Sequence, residues 1–414
     1  MLTAEENEFF TRVGPGTPAG EFLRRYWHPV AFVPELSDES PTFFVRILGE
    51  DLVLFKDKSG RVGLLADHCS HRGASLLYGR VEERGIACAY HGWLYDCEGN
   101  ILETPPERNE AIMNSVKHKA YAVQEFIGMY WAYLGPQPAP VIPRYDIWTR
   151  KDGRLYLYLQ PRLDCNWLQP MENSADPAHA PILHQDKFGS AEKVTSTTRG
   201  RIDEFAGFDV FEAPIGLMKQ RHPKESQKKG ERSPGGAHPV IFPNMLRQAN
   251  SMQIRVPIDD THTKVIFVRF EPRDAEASTN EDALSISYLP PYKNPPDQLH
   301  PFTKFDMDWD VQSQDHMAWE TQGPIADRTK EHLSYSDKGV VMLRKMLKRE
   351  IQKVSKGLDP IGIVRDPDHE MIDTNLEQDL QRFGGRIRPQ HQPDRFRQSA
   401  DRQPAQPVKE NSVL

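Results

Sequence analysis

Two groups of residues stand out by type and spacing. The first is Cys69-Ser70-His71-Arg72-Gly73 followed by Cys88-Ala89-Tyr90-His91-Gly92-Trp93, a C-x-H and a C-x2-H pair separated by 16 residues. Each pair closes a short loop on one side of a metal centre, and Gly73 and Gly92 permit the tight backbone that such loops need. Two thiolates and two imidazoles suit a tetrahedral structural zinc. They also suit a [2Fe–2S] cluster with Cys69 and Cys88 on one iron and His71 and His91 on the other. Zinc fingers pair Cys with Cys and His with His, whereas each loop here carries one of each. That arrangement favours two irons, because each loop then gives one ligand to each iron. Cys97 and Cys165 fit neither loop and read as reduced core thiols; His68 reads as a structural neighbour of Cys69.

The second group lies in residues 171–184, Met-Glu-Asn-Ser-Ala-Asp-Pro-Ala-His-Ala-Pro-Ile-Leu-His. His179 and His184 are five positions apart, about 140° around a regular helix. Convergence on one metal therefore calls for irregular backbone, which Pro181 between them favours. Asp176-Pro177 reads as an N-cap followed by proline at the first helical position. Two histidines and one carboxylate form the facial triad of non-haem Fe(II) oxygenases. The carboxylate candidates are Asp306, Asp308, Asp310 and Asp315 in the helix-like stretch 304–325, and spacing alone does not choose among them.

These groups sit on different scaffolds. From about residue 42 to 135, short alternating runs (FFVRILG, DLVLFKD, RVGLLAD and their successors) read as strands of a small sandwich or barrel. Residues 4–27 start helically and break at Gly14-Pro15-Gly16-Thr17-Pro18. PQPAPVIP at 136–143 reads as a linker. Beyond it, 154–161, 264–272 and 283–290 read as strands. Residues 337–355 space Val340, Leu343, Leu347, Ile351 and Val354 as an amphipathic helix. The expected class is α+β, an all-β metal domain plus a larger domain with an antiparallel sheet flanked by helices. The expected divisions are 1–40 (helical, packing with the larger domain), 41–140, 141–384 and a flexible tail, 385–414. The basic stretch 219–232 reads as a solvated loop, with a lid over a bulky substrate as the alternative.

With Lys+Arg 52 against Asp+Glu 59, no basic excess marks a nucleic-acid binder. No apolar run is long enough for a membrane span and no signal peptide opens the chain, so a soluble cytoplasmic protein is expected. Four cysteines without a secretion signal do not make a disulfide framework.

CSHRG with CAYHGW resembles the Rieske ferredoxin signature. Glu172-Asn173-x2-Asp176-x2-His179-x4-His184 downstream of it resembles the catalytic domain of Rieske non-haem iron oxygenases. Gln314-Asp315-x4-Glu320-x2-Gly323-Pro324-Ile325-x-Asp327-Arg328-Thr329 resembles their phthalate-dioxygenase-like branch, which includes phenoxybenzoate and chlorobenzoate dioxygenases and aromatic O-demethylases. The resemblance covers most of residues 1–345. It implies His179, His184 and Asp315 as ligands of Fe(II), beside the [2Fe–2S] cluster. It implies Asp176 as the carboxylate bridging a cluster histidine of one subunit to an iron histidine of the next, in a head-to-tail homotrimer or a dimer of trimers. Asn173, one turn earlier, is expected to face the iron. No GxGxxG and no plant-type ferredoxin cysteine run occurs, so electrons are expected from NAD(P)H through a separate reductase, with or without a ferredoxin.

The implied activity is hydroxylation of an aromatic carboxylate with O2, by ring dihydroxylation or by O-demethylation and ether cleavage. The alternative is a Rieske electron-transfer protein without oxygenase activity. An anionic substrate calls for a buried cation. Arg247, after the apolar run Pro239–Leu246, is the candidate, with a structural salt bridge as its other reading; Arg199 and Arg201 are lesser candidates.

Overall fold

The structure is a computed structural model that describes residues 1–108, 111–160, 162–184, 205–223, 238–272, 285–289, 311–369 and 371–374. Arg199, Arg201, Asp306, Asp308, Asp310, residues 224–232 and the tail 385–414 lie outside the described residues.

Of the strands in the first third only Thr42–Ile47 shows alternating burial, while Trp27–Phe32 and Met129–Tyr133 are buried along their whole length. Six of these strands make an antiparallel sheet in the spatial order Trp27–Phe32, Met129–Tyr133, Ala120–Phe126, Val62–Ala66, Glu50–Lys56 and Thr42–Ile47. Trp27–Phe32 precedes residue 41 yet pairs with Met129–Tyr133 and so joins this sheet. A four-stranded sheet follows, ordered Arg80–Glu82, Gly85–Ala87, Leu94–Tyr95 and Ile101–Glu103. Cys69 and Cys88 belong to an apolar cluster with Val53, Phe55, Leu65, Ile86, Trp93 and Tyr95.

The larger sheet has eight strands, ordered Phe205–Ala213, Gly216–Pro223, His238–Ile241, Met245–Gln248, Ser251–Pro257, Thr263–Pro272, Gly153–Leu159 and Ser285–Tyr288. Its neighbours are antiparallel except for the last pair, which is parallel. Gly216–Pro223 corrects the loop reading of the basic stretch at its start. Lys219 is a strand residue with a buried side chain.

Helix Lys338–Val354 buries the residues its periodicity marked, Val340, Leu343, Leu347, Ile351 and Val354. At Gly339 a Cβ would lie 2.0 Å from the Ala175 carbonyl oxygen. The missing side chain is what lets helix Leu168–Ala175 sit against it, one residue before Asp176. That shorter helix is fixed by charge as well. The Glu172 carboxylate accepts from Arg328 (Nη2 at 2.7 Å) and Arg344 (Nε at 2.7 Å), and Arg344 also pairs with Glu331. Burial pushes the Glu172 carboxyl up, but Arg328 and then Arg344 more than offset it, leaving it below the ordinary range. Gln169 Nε2 donates to the carbonyls of Trp319 and Gly323, and the Ala326 N–H donates to Gln169 Oε1. The segment 323–329 is thereby docked on the same helix. Helix Ala4–Thr11, with a Thr3–Glu6 capping box, and helix Pro18–Leu23, capped by Thr17, complete the N-terminal region. The Leu2 N–H donates to the Arg328 carbonyl, so this region touches that network. No described helix is long and apolar enough to cross a membrane.

Candidate active site and metal centres

The two Cys-His loops have the same local form. The Gly73 N–H donates to the Cys69 carbonyl at 2.8 Å and the Gly92 N–H to the Cys88 carbonyl at 2.9 Å. Both glycines have positive φ, 77° and 73°, a conformation that L side chains rarely adopt. The loops bring His71 and His91 together, ring centroids 4.6 Å apart, and Trp93 stacks on His71 at 4.6 Å. Cys69 and Cys88 are buried beneath them. The His71 Nδ1 is buried without a hydrogen-bond partner, the state expected of a nitrogen reserved for a metal. Tyr95 Oη lies 3.0 Å from Cys69 Sγ and donates to it when the sulfur is a thiolate. Ser70 bonds His118 Nδ1, whose Nε2 reaches the Ala66 carbonyl. These donors fit a [2Fe–2S] cluster. Burial, with the neighbouring Cys88, raises the Cys69 thiol above its ordinary range, so deprotonation there calls for a metal.

The second centre draws on two distant segments. His179 and His184 flank a four-residue helix, Ala180–Leu183, and Asp315 comes from helix Val311–Glu320. Their ligand atoms all lie within 4.8 Å of one another. His184 Nε2 is 3.1 Å and His179 Nε2 3.9 Å from Asp315 Oδ1. The backbone is helical from Ala180 to Leu183 and departs from helical geometry at His184 (φ −104°, ψ 22°), not at Pro181. The Leu183 and His184 N–H groups make i→i−4 bonds to His179 and Ala180. Pro181 sits in the first turn, where its missing N–H costs nothing. The two rings stand at 86° with centroids 5.6 Å apart.

Gln314, adjacent to Asp315, completes the clamp on His184. Its Oε1 accepts from His184 Nδ1 at 2.7 Å, which leaves the Nε2 lone pair for a metal. Burial pulls His179 below the ordinary imidazole range, so it is neutral and able to ligate near pH 7. Burial pushes Asp315 up, but His184 and His179 more than offset this and keep it ionised. Two imidazoles, one with an oriented tautomer, and an ionised carboxylate fit Fe(II). Asn173 Nδ2 donates to Asp315 Oδ1 at 3.3 Å, so it touches the carboxylate expected to bind the metal.

Asp176 is not the N-cap its sequence suggested, since the short helix Ala180–Leu183 begins after His179 and has its proline at Pro181. It ends helix Leu168–Ala175, and its carboxylate accepts from the Ala178 and His179 N–H groups at 2.6 and 3.2 Å. Its Oδ2 is also 3.4 Å from His179 Nδ1, without the alignment of a hydrogen bond. Lys219 Nζ donates to the Asp176 carbonyl at 3.2 Å. Arg247 is a correction. Its Nη1 is held by both Asp146 oxygens, at 3.1 and 3.0 Å, and by Thr374. The pairing Arg247↔Met252 puts it on the sheet face away from Gln253 and Arg255. Its structural salt bridge is the reading that survives.

Residues 26–125 match the Rieske [2Fe-2S] domain family, and 304–376 match the family described as LigXa C-terminal domain like. The chain is 37% identical over 376 residues to the 5,5'-dehydrodivanillate O-demethylase oxygenase subunit of Sphingobium sp. (strain NBRC 103272 / SYK-6), covering 89% of this chain and 84% of that protein. The chain belongs to the Rieske non-haem iron terminal oxygenases. It is also 34% identical to the phthalate 4,5-dioxygenase oxygenase subunit of Pseudomonas putida, covering 87% of this chain and 89% of that one. The terminal oxygenase of carbazole 1,9a-dioxygenase from Nocardioides aromaticivorans IC177 shares the fold, with a TM-score of 0.58 at 19% identity over 84% of this chain and 97% of that one. As a member of this family the chain is an oxygenase and not an electron carrier alone. It uses a [2Fe–2S] cluster, a mononuclear iron and electrons from a separate reductase.

The sequence reading missed Gln314, Tyr95, Lys219 and Arg255. Gln314 had a signal, its place beside Asp315. The others depend on which strand face each residue occupies.

Proposed function

We propose that this Rieske oxygenase hydroxylates an aromatic carboxylate, by ring dihydroxylation or O-demethylation. In this reading Cys69, Cys88, His71 and His91 hold the cluster, and His179, His184 and Asp315 hold the iron. The observation that carries it is the convergence of two imidazoles and one carboxylate within 4.8 Å. The substrate class rests on the relatives, one a phthalate dioxygenase and one a dehydrodivanillate O-demethylase. Iron bound there supplies the O2 chemistry that no side chain supplies.

The chain's own residues position the site. Gln314 fixes the His184 tautomer, Asn173 steadies the Asp315 carboxylate, and the Glu172 network holds the helix that presents Asn173 and Asp176. Lys219, buried on the large sheet, donates to the Asp176 carbonyl and ties that sheet to the segment leading into His179. Among the described residues, nothing in one chain joins Asp176 to His71 or His91. A head-to-tail homotrimer, single or doubled, supplies that neighbour, with Asp176 carrying the electron path to His179. The cluster-bearing domain is then residues 41–140 together with Trp27–Phe32, and the iron-bearing one 141–384, with 1–40 packed on the latter and 385–414 as a tail. The working compartment is the cytoplasm, where NAD(P)H feeds the reductase, directly or through a ferredoxin.

The test is turnover of methoxybenzoates and phthalate by the fully metallated protein with an NAD(P)H-dependent reductase. Oxygen uptake matched by formaldehyde or diol supports the proposal. Matched uptake with neutral aromatics but with no acid overturns it.

A further inference from the structure

The faces of the large sheet can be read from its register. The pairs Leu246↔Gln253, Arg255↔Val265 and Gln253↔Phe267 put Leu246, Gln253, Arg255, Val265 and Phe267 on one face. Tyr158 joins them through Tyr158↔Phe267. Val265 and Phe267 pack against Trp319, one turn beyond Asp315 on the same helix. This face therefore looks at the element that delivers Asp315.

Arg255 is only 1% exposed. Its Nη2 donates to Gln253 Oε1, and Gln253 is held in turn by Gln248. Its Nε and Nη1 are buried with no hydrogen-bond partner. Arg247, Arg328 and Arg344, the comparably buried arginines of this domain, are each tied to a carboxylate. Among the described residues no carboxylate lies within ion-pair distance of Arg255. Orphaned donors on a buried cation are costly, and natural folds keep them rarely and for a reason. Burial pulls this guanidinium down to about 9, opposed by the charge of Asp315. It thus stays charged near neutrality and lies within electrostatic reach of the iron centre.

We infer that Arg255 is the specificity-determining cation that receives the substrate's carboxylate, through the donors left on Nε and Nη1. The inference rests on the aromatic-carboxylate reading above. It deepens that reading by naming the residue that recognises the anion. A carboxylate arriving beside Arg255 would satisfy donors that the protein leaves unsatisfied, whereas a methyl ester or amide brings no charge. The aromatic body would then lie along Val265, Phe267 and Tyr158, with its far end toward the His179, His184 and Asp315 cluster.

The experiment uses the full chain with both metals, anaerobically and without reductase, so that binding is read without turnover. Methoxybenzoates and their methyl esters are titrated calorimetrically into wild type, Arg255→Gln and Arg255→Lys. Wild type is expected to prefer the acid. Arg255→Gln is expected to lose roughly 10- to 150-fold in acid affinity, the range of one charged hydrogen bond, with the ester unchanged. Arg255→Lys keeps the charge but not the planar donors, and is expected to lose about tenfold. Iron content, Rieske spectrum and melting temperature of Arg255→Gln should match or exceed wild type, since an unpaired buried charge has been removed. Acid affinity unchanged in both variants, while wild type still prefers acid to ester, overturns the role of Arg255 and spares the substrate class. A wild type that binds ester as tightly as acid overturns both. An Arg255→Gln protein that misfolds or loses iron assigns Arg255 to structure or to Asp315, and also overturns the inference.

Discussion

His184 is gripped at both ring nitrogens by adjacent residues of one helix, Nδ1 by Gln314 at 2.7 Å and Nε2 facing Asp315 at 3.1 Å. Gln314→Leu removes the first grip while keeping a side chain of similar size. The buried imidazole then loses its acceptor, a penalty of about 1–3 kcal/mol. At about 1.4 kcal/mol per decade, that predicts iron affinity weakened by roughly 10- to 100-fold, which agrees with the usual cost of losing the partner that orients a metal-bound histidine. Gln314→Glu keeps an acceptor and is expected to retain iron. The assay is competition for Fe(II) against a coloured chelator, with the cluster's visible spectrum as an internal control. Wild-type iron affinity in Gln314→Leu, with an intact cluster, would refute the tautomer argument.

Three further outcomes are expected. Tyr95→Phe removes a hydrogen bond to Cys69 that is stronger in the more negative, reduced cluster. Protein-film voltammetry should show the cluster potential lowered by about 40 mV, equivalent to about 1 kcal/mol for one electron. Glu172→Ala leaves Arg328 and Arg344 without their shared buried carboxylate, and should cost about 3–5 kcal/mol in chemical denaturation of the iron-bearing domain. His28 is wholly buried, its Nε2 donates to the Leu23 carbonyl, and burial pulls it down to about 4. Because the unfolded chain takes up this proton first, stability is present above about pH 6.5 and lost as pH falls toward 4, by up to about 3 kcal/mol. Melting curves of wild type between pH 7 and 4 should fall more steeply than those of His28→Gln.

How much of this was legible depended on how far each signal reaches along the chain. The Cys-His loops are local, so types and spacing sufficed, and the helix at 338–354 showed its buried stripe directly. His179 and His184 stood close in sequence, but Pro181 is not where the backbone between them breaks. A proline in a first turn does not disturb a helix, and the departure from helical geometry comes at His184 instead. Asp315 arrives from a distant helix, so residue chemistry left four aspartates open until the family pattern chose one. Arg247 and Arg255 show the deeper limit. Both follow apolar residues in adjacent strands, and only the register decides that one faces Asp146 and the other the helix carrying Asp315. Lys219 was hidden for a related reason. It opens a basic run that reads as solvated, while its strand turns it inward to the Asp176 carbonyl.

The most direct test of the two-centre account is iron and acid-labile sulfide in anaerobically purified wild type and Asp315→Ala, with EPR of the reduced proteins. The account predicts about three irons and two sulfides per chain in wild type, and about two irons and two sulfides in Asp315→Ala with the same Rieske signal. Wild type holding only two irons after Fe(II) reconstitution, or Asp315→Ala still holding three, would contradict the assignment of His179, His184 and Asp315 as the iron site.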